Sequence, residues 1–172
     1  EIIPQEHASL IELCRAGVLC NEAGLEERTD GWRLHGDPTE GALIVLGMKA
    51  GLVPAFEHAE WPRRDVIPFE SEHRFMATLH HDRAGHSFVC LKGAPERLLG
   101  MCAYQRVRGQ DLPIDHAFWE AELERLAGDG QRTLALAYLA LGGLRHELGF
   151  ADLERVGVTL LGVVGMIDPP RD

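Results

Sequence analysis

The sequence lacks the features of a membrane-spanning segment and of a nucleic-acid-binding surface. No apolar run approaches the roughly 18 residues that a transmembrane helix needs, and we expect neither a signal peptide nor direct membrane contact by this chain. Basic residues are in deficit, with 17 against 27 acidic residues and a net charge of −10. Because nucleic-acid-binding proteins need a basic footprint, we expect no nucleic acid as a partner.

Patterns of metal ligands are also scarce. The four cysteines form no C-x-x-C pair, so a zinc site is not expected, and three of them lie in apolar patterns typical of core residues. Four histidines fall on both faces of two predicted strands, without a carboxylate or cysteine at ligand spacing. We therefore predict no metal site and solvated side chains for His73, His80, His81 and His86.

The length of 172 residues is enough for one domain with a substantial core, because a chain of about 150 residues buries roughly 70% of its unfolded surface. We treat residues 1–172 as a single domain and expect a monomer. The first residue is Glu1 rather than methionine, so we expect an excised part of a larger protein. Any membrane segment of that protein is expected outside this chain.

The stretch from Phe88 to Glu96 is the most informative part of the chain. It begins as an apolar strand that ends on Lys92, and Gly93 lacks a Cβ, which permits a sharp turn and the close approach of a ligand. Pro95 fits the first turn of a helix, where its missing N–H costs nothing. A lysine beside a glycine turn and a helix N-terminus favours anions. Lys-Gly taken alone, however, is more typical of a solvated lysine at a strand end.

A second helix is predicted to begin at Asp37. Asp37 fits the N-cap, Pro38 the first helical position and Glu40 the third position of a capping box, and Gly51 ends the helix. Capping alone accounts for the glutamate.

Two strands, Arg74–His81 and Phe88–Lys92, are predicted to form a hairpin. A three-residue loop closed by Gly85 in the left-handed conformation would pair Met76 with Lys92, whereas a four-residue loop would place these two side chains on opposite faces. We predict the three-residue loop. One face then carries Arg74, Met76, Cys90 and Lys92, and the core face carries Phe75, Leu79, Val89 and Leu91.

Hydrophobic periodicity assigns the remaining elements. Helices are predicted for 6–19, 94–102, 115–128 and 149–155, and strands for 63–68, 104–107, 131–141 and 158–167. A loop with short strand pieces is predicted for 21–31, a brief strand for Trp32 and Leu34, and a turn for 109–113. The nearly all-apolar 131–141 strand is expected at the centre of the sheet. Pro68 cannot donate to a ladder, so the strand before it is expected at an edge. The fold class is α+β, with a largely antiparallel sheet of six or seven strands flanked by helices.

Five motifs resemble, in order, those of the nucleotide-binding domain of P-type ATPases, the ion pumps that pass through an aspartyl-phosphate. They are Asp-Pro-Thr-Glu-Gly-Ala-Leu at 37–43, Ile-Pro-Phe at 67–69 with Arg-Phe-Met at 74–76, Lys-Gly-Ala-Pro-Glu at 92–96, Arg-Thr-Leu-Ala-Leu-Ala at 132–137 and Met-Ile-Asp-Pro-Pro-Arg at 166–171. The motifs span nearly the whole chain from Asp37 onward. The branch is similar to the calcium-pump-like one, with bacterial cation pumps as nearest kin.

The resemblance implies one ATP bound by its adenosine end. Phe69 would stack on adenine between Met76 and Leu134, and Lys92, next to Gly93, would line the floor of the pocket. The remaining implied contacts are Arg132 and Arg74 with the phosphates, and Glu40 and Thr39 with the purine or ribose edge. From the residues alone, Phe69 would be assigned to the core, as most aromatic side chains are.

The resemblance also implies that the chemistry lies elsewhere. The family transfers the γ-phosphoryl group, with Mg²⁺, to the aspartate of an Asp-Lys-Thr-Gly-Thr motif that is absent from this sequence. We therefore expect an ATP-binding module with no catalytic or metal-binding residue of its own. Its partners would be the phosphorylation and actuator domains of the same chain, reached through a stiff hinge at 168–172. The localisation would be the cytoplasmic side of an integral membrane protein.

Two alternatives remain open on the sequence alone. One is an interaction module that has lost nucleotide binding, in which Phe69 or Lys92 is buried by packing with no cleft beside it. The other is a soluble enzyme that uses Lys92 as nucleophile or base.

Overall fold

A computed structural model describes residues 3–155 and 157–167. Within these residues the α+β class is confirmed, with helices on both faces of a large sheet. The helices are α1 (Ala8–Leu19), α2 (Pro38–Lys49), α3 (Pro54–Glu60), α4 (Pro95–Met101), α5 (His116–Gly128) and α6 (Phe150–Arg155). The strands are β1 (Gly24–Arg28), β2 (Gly31–His35), β3 (Arg63–Ile67), β4 (Phe75–His81), β5 (Ser87–Gly93), β6 (Cys102–Val107), β7 (Gln110–Pro113), β8 (Arg132–Ala140) and β9 (Val158–Met166).

The large sheet has seven strands in the order β3-β4-β5-β8-β9-β6-β7. Its neighbours are antiparallel except β6 and β9, which run parallel. As predicted, β8 lies inside the sheet and β3, which precedes Pro68, lies at an edge. The proposed hinge at 168–172 lies outside the described residues.

Two segments without a regular pattern form strands. Residues 24–28 and 31–35 pair as the separate β1–β2 hairpin, in agreement with the short strand pieces predicted within 21–31 and the brief strand predicted at Trp32 and Leu34. β7 occupies most of the predicted 109–113 turn, because Arg108 and Gly109 alone reverse the chain, with φ angles of 49° and 78°. Positive φ at both central residues is the geometry of a tight two-residue hairpin turn.

The β4–β5 hairpin has the predicted register. Met76 pairs with Lys92 and Thr78 with Cys90, and Gly85 has a φ of 80°. Asp82 closes the turn, since its main-chain N–H donates to the carbonyl of His86 at 3.0 Å and its carboxylate accepts from the His86 N–H at 2.8 Å.

Two apolar cores lie on opposite faces of the sheet. One contains Phe75, Leu79, Val89 and Leu91 together with α4 and α6, and the other packs α1 and α2 against residues such as Met76. The predicted core face of the hairpin packs against one helical layer, and the face that carries Met76 and Lys92 packs against the other. The sheet is therefore the middle layer of a three-layer structure. All four cysteines are buried and unpaired.

Two of the histidines expected to be solvated are buried. His80 is fully buried, with Nδ1 at 2.8 Å from the Trp61 carbonyl and Nε2 at 2.8 Å from the Thr78 hydroxyl. His81 is also buried and contacts the carbonyl of Arg145. The expectation failed because the chain at Trp61 covers His80 on one face of β4, and the segment at Arg145 covers His81 on the other face.

No single helix among residues 3–155 and 157–167 is long and apolar enough to cross a bilayer. The bent pair of α2 and α3 reaches that length and composition only when the two helices are counted together.

Candidate functional site: a cleft at one end of the central strands

A cleft of about 680 Å³ opens where β4 and β8 begin and β5 ends. The first turn of α2 and the segment after β3 form its other walls. This volume lies within the range of roughly 300–1,000 Å³ that small-molecule sites occupy. Eight of the nine residues nominated from the sequence line it: Thr39, Glu40, Phe69, Met76, Lys92, Gly93, Arg132 and Leu134.

The apolar part of the cleft presents an aromatic face. Phe69 is 59% exposed although it is a large hydrophobic side chain, because it follows the edge strand β3 and lies over the cleft instead of packing into a core. Met76, which is buried, and Leu134, which is partly buried, line the same cleft. The aromatic ring and the apolar side chains of this cleft can together cover both faces of a flat heterocycle.

The polar part of the cleft is built around an ion pair between Lys92 and Glu40. The Lys92 ammonium donates to the Glu40 carboxylate, and their side chains are only 7% and 17% exposed. The same carboxylate oxygen accepts from the main-chain N–H of Glu22 at 3.2 Å. Lys92 is positioned by the β4–β5 register, in which it pairs with Met76, and Glu40 is positioned by the first turn of α2.

The start of α2 follows the predicted capping pattern with one difference. Asp37 is the N-cap, and its carboxylate accepts from the N–H groups of Thr39 and Glu40 at 2.8 and 3.3 Å. Partial desolvation raises the pKa of Asp37, but these hydrogen bonds outweigh it, so the net pKa lies below the ordinary value. Glu40 does not complete a capping box, since its carboxylate is directed toward Lys92.

Arg74 is the one nominated residue that does not line the cleft. It precedes β4 with a φ of 56°, so strand alternation begins only at Phe75. Its guanidinium donates to Glu96 at 2.8 Å on an exposed part of the surface. Its assignment to the phosphates stays a prediction.

Gly93 is required for a reason that was not predicted, and one of the two predicted reasons, a sharp turn, does not apply. It is the last residue of β5 and has no positive φ, so a sharp turn does not demand glycine there. A Cβ at this position would lie 2.5 Å from the carbonyl oxygen of Arg74 and 2.7 Å from the Cβ of Phe75. The close approach of a neighbouring backbone therefore excludes any side chain.

Sequence reasoning did not assign five further residues to the cleft. They are Glu22, Asp37, Pro68, Ala94 and Thr133. Four of them are neighbours of nominated residues or belong to the same motifs, so their place in the cleft could have been predicted from that adjacency. Glu22 had none, because it reaches the cleft only through the turn that follows α1.

The comparisons with known proteins agree with this architecture. The family model for the P-type ATPase cytoplasmic domain N matches residues 9–172. The chain is 42% identical over 163 residues to the cation-transporting ATPase pma1 of Synechocystis sp., covering 94% of this chain and 18% of that protein. It is 31% identical over 174 residues to a calcium-transporting ATPase of Bacillus subtilis, covering 99% of this chain and 19% of the relative.

The chain is also similar to part of a human calcium-transporting ATPase. The chain is 35% identical over 165 residues to the calcium-transporting ATPase type 2C member 1 of Homo sapiens, covering 92% of this chain and 16% of that protein. The chain thus spans less than a fifth of the length of each of these relatives. It belongs to the P-type ATPase cytoplasmic domain N family.

Proposed function

We propose that the chain binds the adenosine end of ATP and serves as the nucleotide-binding domain of a cation-transporting P-type ATPase. In the whole protein it would present the γ-phosphate, with Mg²⁺, to an aspartate in a separate phosphorylation domain and work with an actuator domain of the same chain. The whole protein would be an integral membrane protein with this domain on the cytoplasmic side. We propose a calcium-pump-like branch, because two of the three relatives described above are named calcium-transporting ATPases.

The observation that carries this proposal is the convergence of the nominated residues. Four sequence motifs supply side chains to one cleft, and Arg132 lies within 3.4 Å of the hydroxyl of Thr39, 93 residues away in the sequence. A ligand in this cleft would meet an aromatic face, an apolar floor and an ion-paired wall. Stacking on an aromatic ring is worth about 1–3 kcal/mol per base in nucleic-acid complexes.

The charges of the cleft favour the adenosine end over the triphosphate. The lining carries three carboxylates, those of Glu22, Asp37 and Glu40, against the basic groups of Lys92 and Arg132. Lys92 is already paired with Glu40, and Arg132 is exposed at the start of β8. A polyphosphate is therefore expected to extend toward Arg132 and solvent, while the purine occupies the interior.

The alternatives fit the geometry less well. An interaction module without a ligand would bury Phe69 or Lys92 by packing, with no cleft beside them. Lys92 is buried, but it lines an open cleft, and the Phe69 ring that lines the same cleft is mostly exposed. A lysine nucleophile must be free to attack, whereas the Lys92 ammonium is held by a carboxylate. Titration of the 172-residue chain with ATP, followed by amide chemical shifts, separates these alternatives. The proposal fails if signals around Phe69 and Lys92 do not move.

We expect Phe69→Ala to weaken ATP binding more than Arg132→Ala does. Losing the stacking face should cost about 1–3 kcal/mol, or roughly 5- to 150-fold in the dissociation constant. An exposed charge contact is typically worth less than about 1 kcal/mol. Calorimetric titration of both variants with ATP measures the ranking.

Phe56→Ala is the matched control for this pair, since Phe56 is 73% exposed on α3 and does not line the cleft. Its ATP affinity should equal that of the unmutated chain. If Arg132→Ala weakened binding more than Phe69→Ala, adenine stacking would not be the main source of affinity.

We expect the isolated chain neither to hydrolyse ATP nor to become stably phosphorylated. The acceptor motif is absent from the sequence, and the proposed contacts are made to adenosine. For the same reason ATP affinity should be nearly the same with and without Mg²⁺. Incubation with γ-labelled ATP, followed by acid precipitation, tests the first point, and acid-stable label retained on an aspartate would contradict it.

A further inference from the structure

Asn21, the only asparagine in the sequence, lies two residues after α1 and is just 5% exposed. It is neither a cleft-lining residue nor part of the motifs discussed above. A buried carboxamide must satisfy its donors and its acceptor within the protein, so the partners of Asn21 show what it holds together.

The carboxamide joins three segments of the chain. Its Nδ2 group donates to the carbonyl of Gly17 in α1 at 3.0 Å and to the carbonyl of Glu40 in α2 at 2.9 Å. Its Oδ1 accepts from the main-chain N–H of Ala23 at 2.8 Å, which orders the turn leading to β1. Both donors and the acceptor are used, and one of the bonds ends on a residue of the cleft.

The neighbouring main chain reaches the same glutamate from a second direction. The N–H of Glu22 donates to the Glu40 carboxylate, the one that also pairs with Lys92. Arg63 holds this turn in place by donating to the carbonyl of Asn21 at 2.7 Å and to the Glu22 carboxylate at 2.6 Å. The turn after α1 therefore contacts Glu40 at both its carbonyl and its carboxylate.

We propose that Asn21 is a positioning residue of the nucleotide cleft. By fixing the first turn of α2 to the end of α1, it holds the Glu40 carboxylate against Lys92 and so sets the polar wall that a purine meets. The inference rests on the proposed nucleotide function, but its central contact, between Glu40 and Lys92, can be measured without ligand.

The ligand-free test uses the two lysines of the chain. Lys92 is buried beside Glu40 and Lys49 is exposed on α2, so their side-chain signals report on the cleft and on a control surface. Asn21→Ser keeps a small polar group but loses both donors to Gly17 and Glu40. We expect the Lys92 Nζ signal of this variant to shift and exchange faster with solvent while that of Lys49 stays unchanged.

The matched control is Thr159→Val, which also removes a buried hydrogen bond, the one from Thr159 to Asp111 at 3.2 Å, but contacts nothing in the cleft. It should leave the Lys92 signal in place. An unmoved Lys92 signal in Asn21→Ser would overturn the proposal, even if ATP binding itself were not found. If Asn21→Ser does not fold, Asn21→Asp, which keeps the shape and the bond from Ala23, replaces it.

The ligand-binding test is a double-mutant cycle with Glu40→Gln. In the unmutated background, Asn21→Ser should weaken ATP binding roughly five- to tenfold, and in the Glu40→Gln background by less than about twofold, because the residue acts through Glu40. Equal losses in both backgrounds would show that Asn21 acts only on general stability. Absence of ATP binding by the unmutated chain would instead count against the proposed function, which keeps the two failures distinct.

Discussion

Replacing Gly93 with alanine is expected to destabilise the domain by about 3 kcal/mol or more, at the upper end of overpacking costs. The added Cβ would lie 2.5 Å from the Arg74 carbonyl oxygen, which is backbone and cannot rotate away. That carbonyl also accepts from the N–H of Ala94 at 3.0 Å, so moving it would break the junction between β5 and α4. The cleft depends on the same junction, and ATP binding should be lost with it.

Gly100→Ala is the matched control for this substitution. Gly100 lies in α4, and a Cβ there would meet nothing within 4 Å. Alanine is favoured over glycine in a helix by up to about 1 kcal/mol, so this variant should be as stable as the unmutated chain or slightly more stable. Urea denaturation of both variants measures the difference. Unchanged stability of the Gly93→Ala variant would contradict this prediction. It would mean that the end of β5 can move away from Arg74, just before β4, at little cost.

The second large effect is a loss of stability in mild acid through His80. Burial lowers the pKa of His80 to about 4 from 6.5, against the hydrogen bond with the Trp61 carbonyl, which acts in the opposite direction. The folded state therefore binds a proton at His80 more weakly than the unfolded state does. Its stabilising contribution is complete above about pH 6.5 and is lost progressively as the pH falls toward 4. A shift of this size corresponds to about 3 kcal/mol.

The measurement is the pH dependence of unfolding free energy for the unmutated chain and for His80→Gln. The glutamine variant should be less stable at pH 7 but should lose about 3 kcal/mol less between pH 7 and 4, because it has no proton to bind. His116→Gln, at an exposed position in α5, should keep the full slope. Parallel curves for the unmutated chain and His80→Gln would show that other groups set the acid sensitivity.

Much of the architecture could be predicted because local rules and tertiary contacts agree. The register of the β4–β5 hairpin followed from one glycine suited to the left-handed conformation, and it placed Met76 beside Lys92. The start of α2 followed from Asp37 and Pro38, whose cap geometry is local. From the residues alone, however, Phe69 would have been assigned to the core, and only the order of the family motifs assigned it to the site.

What escaped prediction depends on contacts between distant segments. Strand alternation was predicted to begin at Arg74, but the left-handed backbone at that residue makes the strand begin one position later, at Phe75. His80 was expected to be solvated because nothing local shows that the chain at Trp61 covers it. Glu22 and Asn21 join the cleft through hydrogen bonds to Glu40, 18 and 19 residues away, which no pattern along the chain records.

The Lys92–Glu40 pair has a consequence for the end of a turnover. Because this wall is already neutralised and the cleft would hold adenosine rather than the terminal phosphate, ATP and ADP would make nearly the same contacts here. If the chain binds nucleotide as proposed, it would retain ADP about as readily as ATP. The exchange of one for the other would then be driven by groups that meet the phosphates outside the cleft, so the cleft would determine which base is accepted and not when the product leaves.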